Sequence, residues 1–115
     1  MKPFELEDTF LLSKILEDLD VEVDLNAFMD LFVKMNNDKD KSVDDKAAFM
    51  AGQFFYLIAK RWHRGRKSIP EFVASMSEKS VEEVKKMKTQ EMKDFFVELF
   101  KQEDIQDFFK SASEE

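Results

Sequence analysis

Ser42-Val43-Asp44-Asp45-Lys46-Ala47-Ala48-Phe49-Met50-Ala51-Gly52-Gln53-Phe54-Phe55-Tyr56-Leu57-Ile58-Ala59-Lys60-Arg61-Trp62-His63-Arg64-Gly65 is the stretch on which the fold turns. It opens with a cap residue and two acids, the signature of a helix start. Ala47, Met50, Ala51, Phe54, Leu57, Ile58 and Trp62 then fall on one face at about 100° per residue. Gly65 is placed to end the helix in a left-handed conformation. The expectation is a central helix over about 43–64, roughly 30 Å long at 1.5 Å per residue. Phe49 and Tyr56 project from the opposite side of it. A helix apolar on both sides is either buried centrally or offers a second seam to a partner. Central burial is the expectation here, with Phe49 and Tyr56 retained as interface candidates.

The same helical spacing extends outward in both directions. Toward the N-terminus, Asp8 is read as the cap of a helix carrying Phe10, Leu11, Leu12, Ile15, Leu16 and Leu19. Asp24 is read as the cap of a second helix with Leu25, Phe28, Met29, Phe32 and Met35. Residues 34–40 are polar and read as a loop. Toward the C-terminus, Ser68-Ile69-Pro70-Glu71 and Ser80-Val81-Glu82-Glu83 fit the capping-box pattern, and Thr89 fits a simple cap. Helices carrying Phe72 and Met76, then Val84 and Met87, then Phe95 and Phe96, follow from these starts. A last one carries Ile105, Phe108, Phe109 and Ala112. The fold expected is all-α: a single compact domain, residues 1–115, of about six or seven helices around the central one. The ends at 1–5 and 111–115 are expected to fray.

Composition agrees with this reading. The chain has 115 residues, with 13 Phe and 7 Met but only 2 Gly and 2 Pro. Few turn formers and many unbranched side chains favour helices over strands. A chain of this size can bury a real core without staples. There is no Cys, which removes disulfides, thiolate metal sites and thiol nucleophiles. No stretch has the length and apolarity of a membrane span, and the first residues show no signal-peptide core. The expectation is a soluble cytoplasmic protein.

Sites of chemistry fail when tested one by one. Counting from Asp38, a calcium loop would need Gly sixth and Glu twelfth, where Val43 and Phe49 stand. His63 is the only histidine, too little for a zinc site. Two glycines, Gly52 and Gly65, cannot build a phosphate-cradling loop. The expectation is a protein with no catalytic residue, no metal and no cofactor. It should act by binding.

Three features are candidates for that binding. The sharpest is Lys60-Arg61-Trp62-His63-Arg64-Gly65-Arg66-Lys67, which holds all three arginines and the only Trp, without an acid. Arginine forks recognise carboxylate and phosphate, and Trp is a frequent interface anchor. Cations also stabilise a helix C-terminus, which is the plainer account of the run. The net charge of −7 disfavours nucleic acid as the partner of the whole surface. A small nucleic-acid-binding module using Arg61, Trp62, Arg64, Arg66 and Lys67 remains the alternative. The second feature is the Phe49/Tyr56 side of the central helix. The third is the Phe108-Phe109 pair near the C-terminus.

A family resemblance joins these pieces. Phe4, Asp8-Thr9-Phe10 and Ile15 resemble the opening of small tail assembly chaperones from long-tailed phages and prophages of Gram-positive bacteria. So do Glu71-Phe72, Ser80-Val81-Glu82-Glu83-Val84, Met92 to Phe100, and Glu103-Asp104-Ile105-Gln106-Asp107-Phe108-Phe109-Lys110-Ser111-Ala112. The likeness covers most of the chain in order and spacing, and the Asp-x-x-x-Phe-Phe ending is its most distinctive part. The basic run matches no signature of that family. The resemblance implies a non-enzymatic protein, made alongside a longer frameshifted form. Such a protein binds the tape-measure protein and helps the tail tube protein polymerise around it. It implies action in the host bacterial cytoplasm and absence from the finished virion. A homo-oligomer is compatible with it.

Overall fold

The computed structural model describes the backbone of residues 1–20 and 22–113, and the side chains of these residues except 22–25 and 112–113. Its elements are α1 (Leu6–Leu19), α2 (Glu22–Asn37), α3 (Val43–Ala59), a 3-10 turn (Trp62–Gly65), α4 (Ser68–Ser77), α5 (Val81–Lys85), α6 (Thr89–Phe100) and α7 (Glu103–Ser113). The fold is all-α, with no strand among the described residues. The helices form one body of 40 × 27 × 25 Å. Helix α3 packs one face on α2 and α6, while α1 lies on α4, and α7 closes over α2 and α6.

The centre is aromatic. Phe54 of α3 is 1 % exposed and lies 5.4–5.8 Å, ring centre to ring centre, from Phe28, Phe96, Phe100 and Phe109. Most of these pairs meet edge to face, the arrangement ring quadrupoles favour, while Phe100 and Phe109 stack at 17°. Four helices thus meet on one side chain. Gly52, mid-α3, contributes nothing to this packing: a Cβ there would meet nothing within 4 Å. Gly52→Ala is therefore expected to raise the unfolding free energy by about 0.5–1 kcal/mol, the usual helical cost of glycine. A lowered urea midpoint would contradict that.

Several local expectations need correction. Helix α1 starts at Leu6 with Glu5 as its cap, and Asp8 sits one turn inside. The Asp8 carboxylate accepts hydrogen bonds from the Glu5 amide (3.0 Å), the Ser75 hydroxyl (2.7 Å) and the Lys2 ammonium. Its role is thus tertiary as well as local. Asp24 lies inside α2 and does not cap it, and α2 continues to Asn37, which shortens the loop expected at 34–40. Leu25 and Ala112 have side chains outside the described set. Ser68 is the first helical residue of α4; its hydroxyl is buried and finds no partner among the described residues, so no capping box forms there. Thr89 likewise opens α6 as a helical residue, with Lys88 in the cap position. At Ser80 the box is complete, with both reciprocal hydrogen bonds at 3.1–3.2 Å.

The N-terminus is fastened where fraying was expected. The Lys2 amide donates to the Met76 carbonyl (3.0 Å), and the Phe4 amide donates to Gln102 Oε1 (2.9 Å). Phe4 is buried against Phe72 and Phe108. At the other end, residues 111–113 complete α7, and residues 114–115 lie outside the described residues. Phe10, expected on the inner face of α1, is exposed at 61 %. The inward stripe is Asp8, Leu12, Ile15 and Leu19, and Phe10 stands half a turn away from it.

Candidate protein-binding groove

The central helix is shorter than its sequence suggests. It ends at Ala59, five residues before the expected limit. Lys60 still donates its amide to Tyr56 O (3.3 Å), but Arg61 reaches back only to Ile58 (3.2 Å) and Arg64 to Arg61 (2.9 Å), so the ladder tightens into a 3-10 turn. Gly65 closes that turn without a left-handed conformation, since no glycine has positive φ. Its smallness serves close approach instead. A Cβ at Gly65 would stand 2.4 Å from Ile69 Cδ1 and 3.3 Å from Leu19 Cδ2. Ile69 is buried and has little room to yield. Gly65→Ala is expected to cost about 1–3 kcal/mol by overpacking. An unchanged urea midpoint would show that the turn is not held this tightly.

The 3-10 turn sets Trp62 at the lip of a groove. One wall is the end of α3 and the turn itself, with Phe55, Ala59, Trp62 and His63. The other wall is the corner between α5 and α6, with Val84, Met87, Lys88 and Met92. The start of α4 closes the end with Ile69 and Pro70. The space is about 880 Å³ and open to solvent. Trp62 is 40 % exposed, and its ring centre lies 6.0 Å from that of Phe55, which lies 6.2 Å from Phe96 in the core. The floor is therefore continuous with the hydrophobic interior. The basic segment lies beyond α3, in and around the 3-10 turn, and it is this turn that puts the only Trp of the chain against an apolar slot.

The other sequence candidates are scattered. Arg66 lines the groove, and Lys67 shares an adjoining depression with Arg66, Glu71 and Lys85. Arg64 faces Asp20 at the end of α1, at 3.8 Å. Lys60 turns back, its ammonium 5.0 Å above the Tyr56 ring. Arg61 is half-buried. The run 60–67 is thus no single cationic surface. Phe49 and Tyr56 are exposed, so the outer side of α3 faces solvent where central burial was expected. Only one side of α3 is covered, because α2 and α6 meet its Phe54 face. Phe109 is a core residue, 1 % exposed, and Phe108 is half-buried against Phe4. The pair packs onto the body of the domain, with Phe109 inside the core and Phe108 at its surface.

Sequence reading missed half of the groove. Met87, Met92 and the lysines of Lys85-Lys86-Met87-Lys88 were not singled out, although this second basic run was visible. Only the turn after α5 brings it opposite Trp62.

Among the described residues, no cluster of three or more His, Asp or Glu is gathered as a metal would require, and no helix is long and apolar enough to cross a membrane. What the arrangement offers chemically is an apolar slot with charged edges. Compared with family models, with curated proteins and with solved structures, the chain matches none.

Proposed function

We propose that this protein is a tail assembly chaperone, which binds a tape-measure protein before the tail tube protein encloses it and performs no chemistry of its own. The observation that carries the reading is the groove at Trp62. An exposed aromatic anchor on an apolar floor is the kind of surface that receives one face of an amphipathic helix. The resemblance of Phe4 to Ile15, of Ser80 to Val84 and of the Asp-x-x-x-Phe-Phe ending to that family supplies the partner. A tape-measure protein is long and largely helical, with apolar stripes that need cover until the tube forms. A small acidic domain can cover them reversibly, and weak contacts repeated along a long partner add up by avidity. On this reading the protein acts in the host bacterial cytoplasm and leaves before the virion is complete.

Co-expression tests it. The tape-measure protein should move into the soluble fraction and co-purify with this chain. A tape-measure protein that is equally soluble alone, with no co-purification, would overturn the reading. The nucleic-acid alternative is weakened by the dispersal of the 60–67 cations, since Lys60 and Arg64 are engaged within the domain. It predicts a mobility shift at low salt that fades steeply as salt rises.

A further inference from the structure

We propose that the Trp62 groove selects an acidic amphipathic helix. An aromatic or branched aliphatic anchor seats on Trp62, Phe55 and Met87, and flanking carboxylates meet Arg66, Lys85 and Lys88. This names the partner chemistry of the site above, and its biological setting rests on that chaperone reading.

The argument begins with charge. The chain carries 25 acidic side chains against 18 basic ones, yet the groove lining contains Arg66, Lys85, Lys88 and His63 and not one carboxylate. The edge of the groove is opposite in sign to the molecule. Arg66 and Lys88 make no ion pair among the described residues, and Lys85 has only a long contact of 3.8 Å to the exposed Glu82. Cations unpaired or only loosely paired around an apolar floor favour a partner that brings its own anions, and they disfavour one that brings cations.

The other broad depression gives the contrast. Between α1 and α7, Leu6, Leu16 and Phe108 are edged by Glu5, Asp104 and Asp107, in a space of about 810 Å³. The two apolar surfaces are similar in size and opposite in edge charge. An acidic helix is therefore accepted by the first and repelled by the second, which fixes where it docks.

The floor favours a protein segment over nucleic acid. Met87 and Met92 are flexible and polarisable, suited to side chains of varied shape. Nucleobases favour flat aromatic platforms along a continuous cationic track. Here a single Trp is exposed, and the basic run around it is dispersed.

Trp62 is the only Trp of the chain, so its emission reports occupancy of the groove. The intact protein is titrated with three Trp-free synthetic helices that share one Phe/Leu stripe and differ only in the polar face, built of Glu, Gln or Lys. A single-stranded oligothymidylate is the fourth probe. The Glu helix should blue-shift Trp62 emission and bind about tenfold more tightly than the Gln helix, the scale of a few exposed ion pairs combined. The Lys helix should bind least. The double variant Arg66→Glu, Lys88→Glu, both exposed positions, should keep its circular dichroism and reverse the order. The proposal is overturned if no helix alters Trp62 emission, or if the Lys helix binds as well as the Glu helix. Quenching by oligothymidylate alone would also overturn it, as would sedimentation showing the groove closed by self-association. If the peptide order holds but co-expression fails to solubilise a tape-measure protein, the chaperone reading falls and this proposal stands. If the double variant still co-purifies with that protein at the wild-type level, this proposal falls and the chaperone reading stands.

Discussion

Phe54→Ala is expected to lower the unfolding free energy by about 3–5 kcal/mol, the range for emptying a buried phenylalanine site. The upper half is expected, because the neighbours cannot readily collapse into the space. Phe28, Phe96, Phe100 and Phe109 surround the ring from α2, α6 and α7, and each is itself held by other rings. Domains of this kind have only about 5–15 kcal/mol in total. The variant should thus lose about a quarter or more of its stability, or fail to fold at growth temperature. Urea unfolding measures it, with a midpoint lower by about 2 M at ordinary slopes. A loss under about 1.5 kcal/mol would mean that the aromatic centre is looser than these contacts imply.

Asp8→Ala should cost about 3 kcal/mol. The carboxylate is fully buried and accepts from Lys2, Ser75 and the Glu5 amide; deleting it takes the acceptor from Ser75 and the Glu5 amide and leaves Lys2 with its 3.4 Å contacts to Glu5 and the Pro3 carbonyl. Breaking a buried pair typically costs about 3–5 kcal/mol. The low end applies because the Lys2 side chain, 17 % exposed, can turn toward water. The pH dependence carries the same signature. Burial by itself would raise the Asp8 carboxyl, but the hydrogen bonds from Lys2, Ser75 and the Glu5 amide outweigh it, and the group is held below its ordinary 3.8. The unfolded chain therefore takes up this proton more readily than the folded one. The Asp8 contribution is present above pH 3.8 and is lost as pH falls through the lower folded value. Burial likewise opposes the Lys2 charge, and the attraction of Asp8 and Glu5 reverses it, raising Lys2 above 10.5. Its contribution is full below pH 10.5 and fades as pH rises through the higher folded value. Asp8→Asn should flatten the acid limb of the stability profile. Parallel acid limbs for wild type and variant would contradict the assignment.

These two sites also show what could and could not be read from the sequence. Phe54 was placed in the core by spacing, because helical periodicity is a local property and the stripe around it is unbroken. The Ser80 capping box was legible for the same reason, with both partners inside one turn. Asp8 was misread as the cap because it stands at the third helical position and reaches back to the Glu5 amide, while its tertiary partners Lys2 and Ser75, the latter 67 residues away, do not show in helical spacing. The end of α3 was misplaced because Gly65 works through a contact with Ile69 and Leu19, which sequence spacing does not reveal. The exposure of Phe49, Tyr56 and Phe10 depended on which neighbours each helix met. The candidate site was half legible. Trp62 and Arg66 stood out as residues, but Met87, Lys85 and Lys88 join them only through the fold.

The central claim is that the groove at Trp62 carries the binding. Trp62→Ala removes an exposed ring and leaves the core intact, so the variant should keep the wild-type circular dichroism and nearly the wild-type urea midpoint. In co-expression with a tape-measure protein it should retain about a tenth or less of the co-purified partner, as expected for loss of an aromatic anchor. A folded Trp62→Ala protein that co-purifies its partner at the wild-type level would contradict the account.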